Sequence, residues 1–252
     1  MQPSFVTSDQ GRRLAFHKTE GEGPVVVFLG GFASDMSGTK AVFLEDWAKS
    51  TGRAFLRFDY SGHGESSEEF KDGSIGEWAE DALTVITQIK EQKLILVGSS
   101  MGGWISLLLS KRIPDRIAGF VGIAAAPDFT EDSMWTWMTD AQKEELETRG
   151  YVEIASDYSD EPYAITKKLI EDGRQQLVLR EPLELPFPVR LLHGTADEDV
   201  AMSVPLKILD HATGPDIQLN LVQGVDHRFS APRELDLILA AVNDVTAKSG
   251  VL

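Results

Sequence analysis

Residues 94–110 read LILVGSSMGGWISLLLS. Leu94 to Val97 is a continuous apolar run of strand length, and from Trp104 to Ser110 the spacing becomes helical. Between them stands Gly98-Ser99-Ser100-Met101-Gly102, a G-x-S-x-G set at a strand-to-helix turn. Glycines at both ends permit a turn tight enough to hold the Ser100 hydroxyl out above a sheet. The bland alternative is an ordinary glycine-rich connection. The flanking strand and helix favour the nucleophile elbow, which also sets Ser100 at a helix N-terminus, where backbone N–H groups favour developing negative charge.

On either side of this turn, short aliphatic runs alternate with longer helical patterns, as in a mostly parallel sheet covered by helices on both faces. The expected strands are Arg13 to His17, Pro24 to Gly30, Ala54 to Tyr60, Leu94 to Gly98, Ile117 to Ala126, Val189 to His193 and Ile217 to Val222. Ser74 to Glu91, Gly103 to Arg112 and Pro232 to Ala247 read as helices, the last with Leu235, Leu237, Leu239 and Val242 on its apolar face. The alternation breaks once. Residues 129–186 turn acidic, aromatic and helical, with Met134, Trp135, Trp137 and Met138 near the start. This segment is expected to be a helical lid inserted into a core made of residues 1–128 and 187–252.

The chain's 252 residues fit one α/β domain with an insertion. With 24 basic and 40 acidic side chains the formal charge is -16, which opposes binding to nucleic acid and to anionic membrane surfaces. Residues 128–185 alone hold 15 acidic and 6 basic side chains, a net -9. A solvated, charged insertion explains this, and repulsion of anionic substrates is a second reading. Without cysteine there is no disulfide, thiolate nucleophile or Cys-bound zinc. The opening MQPSFVTSDQGRRLAF lacks the apolar core of a secretory signal, and no apolar run approaches the ~20 residues of a membrane span. A soluble cytoplasmic protein is expected.

A serine hydroxyl needs a base to take its proton. Of five histidines, His17 and His193 sit in strands and His211 in a polar segment, where a structural role is the simpler reading. His63, in DYSGHG after a strand, could line a site. His227, in Gly224-Val225-Asp226-His227, lies between the last strand and the closing helix, and so comes last in the order serine, acid, histidine that accompanies such an elbow. The acid that orients the imidazole is then expected at Asp197, in HGTAD just beyond a strand, with Glu198, Asp199 and Asp128 as competitors. For the oxyanion of a tetrahedral intermediate, the backbone N–H of Met101 and of Phe32, in LGGFASD, are the candidate donors.

FLGGFASDMSGTKA (28–41), RFDYSGHGES (57–66), GSSMGGW (98–104), HGTADEDV (193–200) and GVDHR (224–228) resemble the α/β-hydrolase family that includes the mitochondrial acyl-glucuronide esterase and palmitoyl-protein thioesterase. Leu29-Gly30 replaces the His-Gly of many related oxyanion loops. The resemblance implies an α/β-hydrolase fold whose lid follows the sixth strand, with Ser100 as nucleophile, Asp197 as acid and His227 as base. The expected activity is a serine esterase or thioesterase acting on a small-molecule ester or thioester, with no cofactor and no metal. Trp135, Trp137, Met138 and His63 are the expected substrate-binding residues. Carbon-carbon bond hydrolysis, lyase or perhydrolase chemistry with the same triad, and a non-catalytic ligand receptor, are the alternative readings.

Overall fold

In the computed structural model, residues 2–89, 92–156 and 159–250 are described, with side chains at 155, 156 and 159–161 left aside. In chain order the strands are β1 Ser4–Thr7, β2 Arg13–Thr19, β3 Glu22–Leu29, β4 Arg53–Phe58, β5 Leu94–Ser99, β6 Ile117–Ile123, β7 Tyr151–Ser156, β8 Ser159–Thr166, β9 Leu183–Glu184, β10 Val189–Gly194, β11 Ala212–Thr213 and β12 Ile217–Val222. The α-helices are α1 Thr39–Thr51, α2 Ile75–Ile86, α3 Met101–Arg112, α4 Asp140–Arg149, α5 Lys167–Gln175, α6 Ser203–His211 and α7 Pro232–Lys248.

Eight strands form the main sheet in the order β1-β2-β4-β3-β5-β6-β10-β12. β1, β2 and β4 pair antiparallel, and from β4 onward every pairing is parallel. The sheet's two faces carry separate cores, as the two-residue period of a strand requires. Val25, Val27 and Leu29 of β3 and Leu94 and Leu96 of β5 join the core that includes Trp78 of α2 and Trp104 of α3. Val26, Phe28, Ile95 and Val97 point the other way, into the core shared with α1 and α7.

Strand order reverses between β3 and β5: the chain leaves β3 toward β4 on one side and returns to β5 on the other. Loops at such a switch point diverge and leave a crevice at the carboxyl ends of the strands. Here those loops are the LGGFASD segment after β3 and the turn that holds Ser100 after β5.

The insertion between β6 and β10 differs from the helical lid expected for 129–186. It holds a π-helical turn, Thr130–Trp135, then α4, the antiparallel pair β7–β8, and α5. Val152 and Ile165, each in register with the other, are buried on one face of that pair. Helix α4 is closed at one end by a Thr139–Gln142 capping box and at the other by Gly150, with a left-handed φ of 82°.

Three further differences are local. α1 and β1 were not expected. α2 ends at Ile86, short of the predicted Glu91, and Lys90 and Glu91 lie outside the described residues, as do Tyr158 and Asp157 of the insertion. On α7 the buried stripe is Leu235, Ile238, Ala241, Val242 and Val245, following a helical period, while Leu237 and Leu239 are half-buried. Among the described residues no helix is long and apolar enough to cross a membrane.

Candidate active site

Ser100 occupies the turn between β5 and α3 with φ 52° and ψ -116°, a sparsely populated conformation that costs ~1–3 kcal/mol and persists only where the surroundings fix it. The two flanking glycines explain the fixing. A Cβ at Gly102 would sit 2.1 Å from the carbonyl oxygen of Leu29, and one at Gly98 2.4 Å from that of Gly102. The turn is therefore pressed against the end of β3. The Ser100 N–H donates to Ile123 O at 2.9 Å, and its carbonyl accepts from Gly103 and Ala126. Its backbone is thus clamped on the ends of three strands.

Asp197 and His227 arrive on two loops that are locked to each other. Thr195 N donates to Val222 O at 2.9 Å, Ala196 N to Val225 O at 3.0 Å, and Gly224 N to Thr195 Oγ1 at 3.0 Å. A Cβ at Gly194 would lie 2.0 Å from Val225 O, so no larger residue lets the loops approach this closely. Asp197 Oδ1 accepts the N–H groups of Asp199 (3.0 Å) and Val200 (2.8 Å). Its Oδ2 lies 2.8 Å from His227 Nδ1, and His227 Nε2 lies 3.1 Å from Ser100 Oγ.

The Asp197 side chain is fully buried and that of His227 is 17 % exposed. Burial pushes the Asp197 carboxyl up, but the His227 hydrogen bond and charge, the Val200 N–H and His193 together hold it below its ordinary value. An ionised carboxylate only accepts, which places the proton of the imidazole on Nδ1 and leaves Nε2 to accept from the serine hydroxyl. Asp197, Asp199 and His227 are also the described residues whose ligand-type atoms cluster within 4.8 Å. Asp197 takes three N–H donors there, from Asp199, Val200 and His227.

Asp128, the competing acid, faces elsewhere. It is buried, with φ 60°, and receives the backbone N–H of Val178 at 2.8 Å, that of Leu179 at 3.0 Å and Arg180 Nη1 at 3.2 Å. Burial raises its pKa against those partners.

Neither the Phe32 nor the Met101 backbone N–H has an acceptor among the described residues. Met101 opens α3, whose first N–H groups lack helical partners by geometry. The ring of Phe32 packs edge-on against Phe70, Trp78, Phe129 and Tyr163, with centroids 4.8, 6.0, 5.8 and 5.9 Å away. This aromatic cluster anchors the loop that Leu29-Gly30 begins.

A cavity of about 740 Å³ opens beside Ser100 and His227. Its apolar walls include Phe129, Met134, Met138, Ile154, Ile165 and Leu179, mostly from the insertion. Trp137, 65 % exposed, also lines it. Two expected substrate-binding residues do not. Trp135 is turned away, its ring 4.5 Å from the Arg174 guanidinium and 5.0 Å from Lys143 Nζ, a cation–π contact on both counts. His63 is buried among Tyr60, Phe70 and Trp78, bonds Ser61 O through Nδ1 at 3.0 Å, and has its pKa lowered by burial. Its position after a strand suggested exposure at the sheet's edge, but Gly62 and Gly64, at φ 74° and 47°, fold the loop back over the ring.

The β7–β8 hairpin, which supplies Ile154, Tyr163 and Ile165, was missed because its two-residue alternation is short and lies among acidic residues. Lys40, Lys207 and Arg228 also line the cavity, opposite in charge to Asp35, Asp132 and Asp199. Of the insertion's acidic side chains among the described residues, Asp132 reaches the wall, and it is paired with Lys207 at 2.9 Å and with Arg180. Among the described residues the charges on the cavity wall balance, three acidic against three basic.

The family model described as "Serine aminopeptidase, S33" matches residues 22–150. Palmitoyl-protein thioesterase ABHD10, mitochondrial, of Rattus norvegicus is 35% identical over 97% of this chain and 82% of its own length. Among solved structures, the mouse α/β-hydrolase domain-containing protein 10 superposes with a TM-score of 0.90 at 32% identity, covering 98% of this chain and 99% of that one. A crystal structure from Agrobacterium vitis S4 superposes at 0.94 with 41% identity, covering 97% and 98%. The cytoplasmic location expected from the sequence does not stand, because the curated relatives matching nearly the whole chain are mitochondrial. The residues of a folded core serve equally in any compartment, and addresses are read from separate segments.

Proposed function

The chain belongs to the serine aminopeptidase S33 family of α/β-hydrolases, and from that premise we propose that it cleaves carboxylic esters and thioesters through an acyl-enzyme at Ser100. The observation that carries this reading is the continuous relay from Asp197 Oδ2 to His227 Nδ1 (2.8 Å) and from His227 Nε2 to Ser100 Oγ (3.1 Å). In the proposed cycle Ser100 Oγ attacks the substrate carbonyl carbon while its proton passes to His227 Nε2. The carbonyl oxygen, now negative, takes the N–H groups of Phe32 and Met101. Collapse of the tetrahedral intermediate expels the alcohol or thiol, which receives the proton from His227. Water then repeats the sequence on the acyl-serine and releases the acid. Asp197, ionised across this cycle, holds the Nδ1–H tautomer and offsets the charge of the imidazolium.

The substrate is a small-molecule ester or thioester with an apolar acyl chain, and residues 129–186 act as the lid over it. Two observations support this: relatives are named palmitoyl-protein thioesterases, and the cavity walls beside Ser100 are largely apolar with two methionines, side chains that adapt to flexible chains. The cavity's 740 Å³ lies within the ~300–1,000 Å³ of small-molecule sites.

The test is a panel of p-nitrophenyl esters and neutral acyl thioesters of graded chain length, with aminoacyl p-nitroanilides alongside because the family is that of a serine aminopeptidase. Turnover of esters and thioesters, rising from acetyl to octanoyl, is the expected result. Turnover of the anilides alone would reject it.

A further inference from the structure

β10 ends on a histidine that the relay above does not use. The His193 side chain is 1% exposed, and neither ring nitrogen reaches a partner at full hydrogen-bond distance and angle among the described residues, the Val200 backbone acting on the ring only weakly against burial. A buried polar group left in this state is destabilising, and an apolar side chain would avoid the penalty. His193 Nε2 lies 3.8 Å from Asp197 Oδ2, the same oxygen that receives His227 Nδ1 at 2.8 Å. The other oxygen, Oδ1, takes two backbone N–H groups. An ionised carboxylate offers about four acceptor positions. Three are filled at Asp197, and the unspent imidazole stands beside the oxygen that has one to spare.

We propose that His193 is a positioning residue for Asp197, its Nε2–H closing on Oδ2 as His227 becomes an imidazolium, so that the carboxylate keeps its orientation and its charge through the tetrahedral step. This rests on the reading of Ser100, His227 and Asp197 as the acyl-transfer relay. The movement required is about 1 Å, from 3.8 Å to the ~2.9 Å of an N–H···O bond. Burial lowers the His193 pKa against the pull of Asp197 and the Val200 backbone, with the charge of His227 acting in the same direction as burial. An uncharged ring donates one hydrogen bond without the positive charge that would compete with His227 for the carboxylate. Asp199 is the other titratable group gathered at this site, within 4.8 Å of the Asp197–His227 pair.

The experiment compares His193→Phe, which fills the space without a donor, with His193→Gln, which keeps one, on p-nitrophenyl octanoate. For H193F the expected result is a fall in kcat of up to about tenfold, the rate equivalent of one hydrogen bond, with KM unchanged. The acid limb of kcat/KM should also move to higher pH, because an Asp197 relieved of a donor holds the proton on His227 more tightly. H193Q should recover part of both effects. Wild-type kcat and acid limb in H193F, or equal defects in both variants, would overturn the role. Histidine 15N NMR of the wild-type protein gives a readout that needs no variant to fold. The His193 Nε2–H resonance should shift downfield when a fluorophosphonate forms a tetrahedral adduct at Ser100, and an unmoved resonance would overturn the proposal. If wild-type protein neither reacts with the probe nor turns over ester, the relay reading fails and the positioning role falls with it; if it does both and only the His193 effects are missing, the failure belongs to His193 alone.

Discussion

Asp128 accepts the backbone N–H of Val178 at 2.8 Å, joining the two ends of the 129–186 insertion. With Leu179 N and Arg180 also bound to it, this carboxylate serves the insertion's root and is not directed at a histidine. Asp197→Asn should cost on the order of 10³ to 10⁴ in kcat, the scale of a triad histidine that loses its orienting carboxylate. Asp128→Asn should leave kcat far closer to wild type but lower the melting temperature, because an amide presents one accepting oxygen where two face N–H donors. Steady-state kinetics and thermal melts of the two variants check this, and the reverse order of kcat losses contradicts it.

Asp197 also makes a prediction about acid stability. Despite burial, its partners depress its pKa below the ordinary 3.8. A depressed carboxyl contributes stability above the unfolded value, and the contribution is lost as pH falls through the folded value. In urea unfolding, the stability gap between wild type and Asp197→Asn should therefore narrow as pH drops below 3.8. A gap that widens there would assign the wrong sign.

Lys40 lines the cavity and donates its ammonium to the Arg228 carbonyl, next to His227. Burial lowers its pKa from 10.5 to about 8, against the opposing charge of Asp226. At pH 8 roughly half of such an amine is uncharged, against under ~1% for an ordinary lysine. An acylating amine probe at pH 8, followed by peptide mapping, should modify Lys40 ahead of the exposed Lys111. Modification of Lys111 first would show that access, not basicity, governs the site.

Chain-length preference follows from the apolar wall. Each buried substrate methylene adds up to ~0.8 kcal/mol of binding, so kcat/KM for neutral esters should climb from acetate to octanoate. Ile165→Phe, which intrudes on the wall contributed by β8, should flatten that climb while sparing acetate. Because the wall's charges balance among the described residues, acyl-CoA should not be rejected for its charge alone. An octanoate preference untouched by Ile165→Phe would place the acyl chain elsewhere.

Local chemistry made the core legible in the sequence. The elbow is written in two glycines whose Cβ positions are occupied by neighbouring backbone, and near-continuous runs such as Val25 to Leu29 announce strands buried on both faces. The sequence also pointed to Ser100, Asp197 and His227, and the structure brings His227 within hydrogen-bond distance of the other two. What could not be read depends on contacts between distant residues. His63 looked exposed until the Phe70 and Trp78 rings were packed on it, and Trp135 and Trp137, two residues apart, have opposite surroundings. β1 is a four-residue edge strand with little apolar signal of its own, fixed by its pairing with β2.

The most direct test of the central claim is to catch the acyl group. Protein mixed rapidly with p-nitrophenyl octanoate and quenched in acid should carry one octanoyl group, mapped by peptide mass spectrometry to Ser100, and Ser100→Ala should fold normally yet show neither adduct nor turnover. Ester turnover retained in well-folded Ser100→Ala protein, or an octanoyl group mapped to another residue on the productive path, would contradict it.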